Sequence, residues 1–404
     1  MDLQRKVRFM RKATQQQTKD HNKRLILKTI FDDDAISRAD IARRTHLTRT
    51  TVSSIVAELI DDGLVAETGQ GPSQGGKPPT LLSFLNDSHE IISLDLSNSR
   101  FRGALMDLKG NICHSTQLSV EGLRGEKAFD GVCQLIDDLL ACKSGPLLGI
   151  GVGTPGITDA QMGIVDEAVN IGWKNMPLAE MLQNRYDVPV HIANDSQLAA
   201  LGEFNFGLER NRKNFIVVKA GQGISAGIVV NGRLYAGDSP GHGEIGHIKV
   251  AEHGEQCACG NYGCLETIAG SRGLIERSRT IFNTNSDSLL HDFVQHADEI
   301  DTDIILQAFQ AGDEMITQLI IEASKHIGMA IAYLVGILNI HQIVICGRLA
   351  RFGEDLLLPL REIVNQHALQ KFVEKSSITL TSLGSDIVIK GAAALILSNV
   401  LGVV

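Results

Sequence analysis

The sequence lacks the features that would place the protein in a membrane or outside the cell. It contains no run of eighteen apolar residues, so no membrane span is expected, and its first ten residues, MDLQRKVRFM, lack the apolar stretch of a secretory signal. The seven cysteines are an odd number, which disfavours a framework of paired disulfides. These absences predict a cytoplasmic protein in a reducing compartment.

Charge is distributed unevenly along the chain, whose formal net charge is -9. Residues 1–84 carry 14 Lys and Arg against 10 Asp and Glu, whereas the remainder carries 24 against 37. A basic N-terminal part joined to an acidic body indicates that only one end of the chain binds nucleic acid. At 404 residues the chain is long enough for two or three domains.

One histidine and three cysteines form the most distinctive cluster. They lie within eighteen residues in a glycine-rich stretch, residues 241–266: His247, Cys257, Cys259 and Cys264. One imidazole and three thiolates make a tetrahedral set that suits Zn²⁺, and a set with no open position is typical of a structural zinc site. Buried free thiols beside an unrelated histidine are the alternative, but unrelated cysteines seldom cluster in this way.

Two glutamates flank the cluster. Glu244 precedes the histidine by three residues, and Glu266 follows the last cysteine by two. A bound ion would therefore hold two carboxylates in fixed positions, as a binding pocket requires.

The basic N-terminal part shows three helical segments. The helical pattern of the first segment begins at Asn22. The second helix is predicted to start after Ser37, where Asp40 completes a capping box, and to end near Thr45. The third starts at Thr48, and its apolar residues have the spacing of one buried stripe: Val52, Ile55, Val56, Leu59 and Ile60.

The polar face of the third helix resembles that of a recognition helix in the major groove. The residues predicted to contact DNA there, together with the cap of the preceding helix, are Ser37, Thr48, Arg49, Thr50, Thr51, Ser53 and Ser54. A generic protein-interaction bundle is the alternative interpretation of these helices.

Two short strands follow, at residues 64–68 and 81–85, joined by the tip GQGPSQGGKPPT. This pattern is typical of the wing of a winged helix-turn-helix, and Gly75, Gly76 and Lys77 are predicted to contact DNA. A flexible linker is the alternative, but the helices, the tip and the positive charge together favour DNA binding.

The acidic body repeats one pattern. Predicted strands at residues 91–96 and 101–108 flank the polar loop DLSNSR, and strands at residues 215–219 and 228–230 flank the glycine loop AGQGISAG. A duplication of this kind predicts an α/β fold of two lobes, with a ligand in the cleft at the carboxyl ends of the strands.

Polar residues gather at further predicted strand ends between the two copies. The strand at residues 148–152 ends in GTPG, the strand at residues 188–193 ends at Asn194 and Asp195, and Asn170 lies between them. An Asn-Asp pair is by itself most often a helix cap. An aspartate above a cleft can also bind a hydroxyl or accept its proton.

Six motifs together resemble the signature of the ROK family (repressors, open reading frames and sugar kinases). They are GTPG at 153–156, NIGW at 170–173, ND at 194–195, GQGISAG at 221–227, GEIGH at 243–247 and CACGNYGCLE at 257–266. With its winged helix-turn-helix, the chain is similar to the transcriptional repressors of the family, such as those for xylose, glucose and N-acetylglucosamine. The resemblance covers nearly the whole chain.

The resemblance implies an α/β body with the two-lobed actin-like, ribonuclease-H-like ATPase fold. It implies a structural Zn²⁺ ion on His247, Cys257, Cys259 and Cys264. It also implies that a monosaccharide is held by Asn170, Asn194, Asp195, Glu244, His247 and Glu266. In the kinases of the family, the residue that matches Asp195 is the general base that deprotonates the sugar hydroxyl.

One loop departs from the kinase pattern. Kinases of the family open the body with an Asp-x-Gly-Gly-Thr-type loop, whereas here Asp95 to Arg100 reads DLSNSR, without glycine. Side chains would occupy the space that a phosphate must enter, and the backbone loses the freedom of glycine at positive φ. We therefore expect a body that binds sugar, does not use ATP and is not an enzyme.

Four segments are expected: a polar arm at residues 1–18, a winged helix-turn-helix domain at 19–86, a first lobe at 87–200 with 384–404, and a second lobe at 201–383. The second lobe would carry the zinc loop and the dimer contact.

The prediction is a sugar-responsive repressor of carbohydrate-uptake or catabolic genes, which binds palindromic operator DNA as a homodimer or a tetramer and has no membrane partner. Two alternatives remain open: an ATP-dependent hexose kinase with an appended DNA-binding domain, and a repressor controlled by a protein partner.

Overall fold

The computed structural model describes residues 14–33, 35–72, 78–96, 100–120, 122–208 and 212–404. The described chain divides into two compact units. Unit 1 contains the residues up to His89 together with Asp107–Lys109 and Leu397–Val404. Unit 2 contains Glu90–Met106 and Gly110–Ile396.

Unit 1 has the architecture of a winged helix-turn-helix. Its elements are α1 Gln15–Asp32, β1 Ile36–Ser37, α2 Arg38–Thr45, α3 Arg49–Asp61, β2 Val65–Gln70 and β3 Thr80–Phe84. The strands form an antiparallel sheet in the order β1-β3-β2. The predicted stripe of α3 faces the core, although Ile60 is only half-buried.

Helix caps explain where the three helices of unit 1 begin. Ser37 accepts a hydrogen bond from the Asp40 amide and Thr48 accepts one from the Thr51 amide, so the predicted starts of α2 and α3 are confirmed. Helix α1 begins at Gln15, seven residues before the apolar pattern. A capping box between Thr14 and Gln17 adds these polar first turns to the helix.

The end of the chain is part of unit 1. A π-helical turn at Leu397–Leu401 leads into a segment on α1, where Lys28 Nζ donates to the Val403 carbonyl at 3.0 Å. Gly402 has a φ of +69°, and a Cβ atom there would lie 2.7 Å from the Arg24 side chain. Residues 397–404, which the sequence assigned to the first lobe, therefore lie with the winged helix-turn-helix.

The first half of unit 2 is built on a five-stranded sheet. Its elements are β4 Glu90–Asp95, β5 Arg100–Met106, β6 Ile112–Ser119, α4 Glu126–Cys142, β7 Leu147–Thr154, β8 Ile157–Asp159, β9 Ile164–Ala168, β10 Trp173–Met176, α5 Leu178–Tyr186, β11 Val190–Asn194 and α6 Asp195–Phe206.

The second half is built on another five-stranded sheet. Its elements are β12 Phe215–Ala220, β13 Ile224–Val230, β14 Arg233–Leu234, α7 Leu265–Ala269, α8 Ser271–Thr284, α9 Thr302–Gln310, α10 Glu314–Leu338, β15 Gln342–Cys346, α11 Glu354–His367, α12 Gln370–Val373, β16 Ser377–Leu380 and α13 Ile387–Ile396.

The two large sheets have the same topology. One has the order β6-β5-β4-β7-β11 and the other β14-β13-β12-β15-β16. In each, three parallel strands are followed by an antiparallel pair on one side. The duplication predicted from the sequence is therefore confirmed.

Helices α6 and α13 pack closely against each other, and each also covers strands of a large sheet. Helix α13 lies on β4 and β7, while α6 lies on β12 and β13. Gly391 is required at the helix contact, because a Cβ atom there would lie 1.8 Å from the Leu198 carbonyl oxygen. The pair joins the two halves of unit 2 into one body.

Two apolar helical stretches are long enough to cross a membrane by length and composition, Glu314–Leu338 and Gly384–Leu401. In the fold, 50% and 56% of their apolar windows are buried. Core helices of a folded domain have this composition, so it is weak evidence for a membrane span.

Candidate functional site

The carboxyl ends of strands in both halves of unit 2 open into one cavity of about 510 Å³. The ends of β11 and β12 contribute to it, as does the start of β13. All six residues predicted to bind a sugar line this cavity: Asn170, Asn194, Asp195, Glu244, His247 and Glu266. Its position follows the rule that open α/β sheets bind ligands beyond the carboxyl ends of their strands.

Asn194 is a helix cap that also lines the cavity. It is the N-cap of α6, where its Oδ1 atom accepts hydrogen bonds from the Ser196 amide and hydroxyl. Its Nδ2 atom donates to the Gly156 carbonyl at 2.8 Å. An amide nitrogen carries two hydrogens, so one donor remains for a ligand in the cavity.

Asp195 is buried at the first position of α6 and forms an ion pair with Lys219. The Nζ and Oδ2 atoms are 3.0 Å apart, and the two side chains are 7% and 9% exposed. Burial opposes the charge of Lys219, but the carboxylates of Asp195 and Asp95 outweigh it and raise the pKa of the lysine. The site therefore contains a buried ammonium group that its paired carboxylates stabilise.

Glu244 and Glu266 add two carboxylates to the same wall. Burial, with the charges of Asp195 and Glu266, raises the pKa of Glu244 to about 7. Glu266 lies in the first turn of α7, and its Oε2 atom accepts a hydrogen bond from the Ile224 amide at 3.3 Å. Three closely spaced carboxyl groups can accept hydrogen bonds from several hydroxyl groups of one ligand.

The predicted metal ligands lie together in space. One potential ligand atom from each of His247, Cys257, Cys259 and Cys264 falls within 4.8 Å of all the others. The Cys257 Sγ atom is 3.5 Å from His247 Nδ1, and the Cys259 and Cys264 Sγ atoms are 3.7 Å apart. A tetrahedral ion with Zn–S bonds of about 2.3 Å has ligands about 3.5 to 3.8 Å apart, so the cluster could hold a metal ion of this kind.

The His247 imidazole links the metal cluster to the cavity. Its Nδ1 atom faces the thiols, while its Nε2 atom lies 3.9 Å from the Glu244 Oε2 atom. Metal-bound imidazoles commonly direct their second nitrogen toward a carboxylate, which fixes the ring. The ring therefore lies between the cluster and a carboxyl group of the cavity.

Sequence reasoning missed Lys219, although a signal was present. It is the charged residue in the otherwise apolar strand FIVVKA, and it lies only 5% exposed on β12. A buried lysine needs a partner, so its position alone could have indicated a paired carboxylate. Which carboxylate it pairs with depends on the tertiary fold.

The loop that distinguishes this chain from the kinases is only partly described. Asp95 and Leu96 are buried at the end of β4, and Arg100 begins β5. Residues 97–99 lie outside the described residues, so the effect of the loop on phosphate binding stays a prediction.

The exposed surface of α3 carries most of the predicted DNA contacts. Thr48, Arg49, Thr50, Ser53 and Ser54 are exposed there, opposite the buried stripe, and Thr51 is half-buried. Gly75, Gly76 and Lys77, predicted for the wing, lie outside the described residues.

Ser37 is an exception among the residues predicted to contact DNA. It is only 3% exposed, and its hydroxyl donates to the Asp40 carboxylate while accepting from the Asp40 amide. Both functions of the hydroxyl are used within the protein, so Ser37 caps α2 and does not face DNA.

The architecture defines a DNA-binding module joined to a two-lobed ligand-binding body. The winged helix-turn-helix DNA-binding family matches residues 19–66, and the ROK family matches residues 91–399. The chain belongs to the ROK family.

Known relatives match over nearly the full chain. The xylose repressor of Caldicellulosiruptor bescii is 33% identical over 386 residues, which cover 94% of this chain and 96% of the relative. The DNA-binding transcriptional dual regulator NagC of Escherichia coli is 29% identical over 359 residues, 87% and 86% of the two chains.

Solved structures agree with this assignment. A ROK family transcriptional regulator described as a homologue of the E. coli MLC protein superposes with a TM-score of 0.83 at 26% identity, covering 96% of this chain and 98% of the other. A ROK family glucokinase from Streptomyces griseus shares the fold, with a TM-score of 0.70 at 24% identity over 76% of this chain and 98% of its own.

Proposed function

We propose that the protein is a sugar-responsive transcriptional repressor of genes for carbohydrate uptake or breakdown, acting in the cytoplasm. The observation that carries the proposal is that all six side chains predicted to bind a sugar line one cavity, in a chain whose helix α3 also exposes polar residues predicted to contact DNA. The full-length similarity to a xylose repressor supports the same function.

The cavity suits a monosaccharide. Its volume of about 510 Å³ lies within the range of small-molecule sites. The carboxyl groups of Asp195, Glu244 and Glu266 accept hydrogen bonds from hydroxyls, and the free Nδ2 hydrogen of Asn194 donates one. Three carboxyl groups on one wall disfavour an anionic ligand, so we propose a neutral sugar as the effector.

We propose that the cluster binds a structural Zn²⁺ ion. His247 and the three cysteines would hold it, and the bound ion would supply the charge that keeps the thiolates together. Burial raises the pKa of the Cys264 thiol to about 12, so a cation is needed to deprotonate it near neutral pH. Through the His247 ring, the cluster positions Glu244 at the cavity.

We propose that the repressor acts as a dimer, so that two recognition helices reach successive major grooves of a palindrome. Helices α10 and α11 pack together in unit 2 and expose apolar side chains on and beside them: Tyr333, Ile337, Leu338, Leu358 and Leu369. Ile337 is 79% exposed, which is unusual for isoleucine and favours a contact between two copies. A tetramer would need a further contact.

The sugar would act by shifting the dimer between two states with different affinity for DNA. Moving a population from 99:1 to 1:99 requires about 5.5 kcal/mol of differential binding. Charge-assisted hydrogen bonds contribute about 1.5 to 3 kcal/mol each, so a few bonds made in only one of the two states, at two symmetric sites, are sufficient.

The proposal is tested by calorimetric titration of the protein with D-xylose, D-glucose and N-acetyl-D-glucosamine, and by gel shifts with promoter DNA. We expect one sugar to bind and to change the affinity for DNA. Glu266→Gln should weaken sugar binding about tenfold, whereas Glu252→Gln, at an exposed glutamate on the loop before α7, should leave it unchanged. Failure of every sugar to bind would instead favour control by a protein partner.

A hexose kinase is the second candidate, because a ROK family glucokinase shares the fold. A coupled ADP-release assay with the same sugars and Mg-ATP separates the two functions. We expect no sugar-dependent ADP release, and turnover above the level of an Asp195→Asn control would favour the kinase.

A further inference from the structure

Lys219 is the buried cation of the cavity, and its place in the strand is unusual. Alternate residues of β12 face opposite sides of the sheet. Ile216, Val218 and Ala220 enter the main core of the second half, while Phe215 and Val217 face a smaller core. Lys219 follows on the same face as Val217, so an apolar residue would be expected there.

Two carboxylates of the first half of unit 2 lie beside the ammonium group, which belongs to the second half. It lies 3.0 Å from Asp195 on α6 and close enough to Asp95, at the end of β4, for both carboxylates to raise its pKa. The thiol of Cys346 on the neighbouring strand β15 is also near, and burial raises its pKa to about 12, so it is neutral. The remaining acidic groups near Asp195 and Cys346 are Glu203, Glu244 and Glu266.

Without Lys219, this arrangement would place several carboxyl groups in one buried region. Burial is the largest influence on Asp195 and raises its pKa above the ordinary value; the Asp95 charge adds to that effect, and the Lys219 ammonium opposes both in part. An isolated carboxyl group in such surroundings takes up a proton, and a protonated group is a weaker hydrogen-bond acceptor for a hydroxyl.

We propose that Lys219 is the positioning residue of the effector site: its ammonium group keeps Asp195 ionised and directed into the cavity as a hydroxyl acceptor. The inference rests on the proposed function, because it assumes that Asp195 contacts the sugar. The ammonium group lowers the proton affinity of Asp195 relative to the same buried carboxyl group without it.

The ion pair is tested with Lys219→Met, Asp195→Asn and the double variant. Infrared difference spectra, each recorded against the matching Asp195→Asn protein, isolate the Asp195 carboxyl signal from Asp95, Glu203 and the other acids. We expect an ionised carboxylate in the wild type and a protonated carboxylic acid in Lys219→Met. An ionised Asp195 in Lys219→Met would overturn the proposal.

Calorimetric titration with the three sugars tests the consequence. Lys219→Met should lower the affinity at least tenfold in the wild-type background and not further in the Asp195→Asn background, because Lys219 acts through Asp195. An equal loss in both backgrounds would contradict this. Lys213→Met, at an exposed lysine just before the same strand, is the matched control.

The role of Lys219 can still be tested if the Lys219→Met variant does not fold or if the wild type binds no sugar. If Lys219→Met does not fold, Lys219→Gln carries the same measurements, because its amide can hydrogen-bond to Asp195 without a charge. If the wild type binds none of the sugars, the proposed function has failed, and the infrared spectra alone decide whether Lys219 keeps Asp195 ionised.

Discussion

The two large sheets of unit 2 share one topology but carry different groups at corresponding strand ends. The central strand β4 ends in Asp95 and is followed by the glycine-free loop, while its counterpart β12 carries Lys219 as its penultimate residue and is followed by a glycine loop. In both sheets the apolar residues that form the core follow the common topology, so the two different sequences are compatible with the same arrangement of strands. The chemistry depends instead on a few residues at the carboxyl ends, where the two sheets differ most.

The largest expected effect comes from the metal cluster, which only the second sheet carries among the described residues. Cys257→Ser combined with Cys264→Ser should reduce zinc from about one ion per chain to near zero and abolish the sugar response. Structural zinc sites contribute about 10 kcal/mol or more of binding free energy. Elemental analysis measures the zinc content, and calorimetric titration measures the response to sugar.

Cys113→Ser, at an exposed cysteine on β6 of the first sheet, is the control and should retain zinc and sugar binding. A double serine variant that remained fully sugar-responsive without zinc would exclude a role for the metal. Acidification should also release the ion, because protons compete for the thiolates.

The second prediction concerns the helix pair that joins the sheets. Gly391→Ala should lower the free energy of unfolding by about 3 kcal/mol, because its Cβ atom has no space beside the Leu198 carbonyl. Gly336→Ala, on the exposed side of α10 with no atom within 4 Å, should instead stabilise the protein by about 0.5 to 1 kcal/mol. Chemical denaturation compares the two, and equal effects would contradict the packing argument.

Much of the fold could be predicted because its signals are local. The caps at Ser37 and Thr48, the duplicated strand-loop-strand pattern and the clustering of the cysteines all depend on neighbours in the sequence. Helix α1 begins before its apolar pattern, because its first turns are polar and its capping box begins at Thr14. In each case the information lay within a few residues.

The remaining part of the site could not be predicted because it depends on long-range contacts. Lys219 meets Asp195 across 24 residues and two elements, and the sequence indicates only that a buried lysine needs some partner. For Ser37 the sequence predicts both a helix cap and a contact with DNA. The two roles compete for one hydroxyl, and burial decides between them.

A pH experiment tests the cavity carboxyl group of Glu244, which lies in the second half of unit 2. The pKa of Glu244 is about 7 in the fold and 4.5 in its ordinary state, so the folded protein binds more protons between these values. Stability from this group is therefore lost as the pH rises toward 7 and stays lost above it. Glu244→Gln should gain about 2 kcal/mol of stability over wild type at pH 8 and little at pH 5.

Thermal melts in buffers of equal zinc content measure this difference. Glu252→Gln, at an exposed glutamate of the same loop, should follow the wild type at both pH values. A constant difference between Glu244→Gln and wild type would show that the pKa of Glu244 is not raised.

The smallest effect is expected at the amino end of β4 in the first sheet. The buried Glu90 carboxylate accepts hydrogen bonds from the Ser144 and Gly145 amides and the Ser144 hydroxyl. Glu90→Gln should cost about 1 kcal/mol of stability, since the neutral amide is a weaker acceptor, and should not change sugar affinity. A change in affinity would mean that the function is not confined to the carboxyl ends.

The C-terminal segment on α1 has a practical consequence for dissecting the protein. The DNA-binding unit is assembled from three separate pieces of chain, the last of them Leu397–Val404. A fragment that stops at His89 therefore lacks part of its own fold, and a tag fused after Val404 would be attached beside the Lys28 hydrogen bond. Purification tags belong elsewhere, and the isolated N-terminal fragment is a poor substitute for the whole chain in DNA-binding measurements.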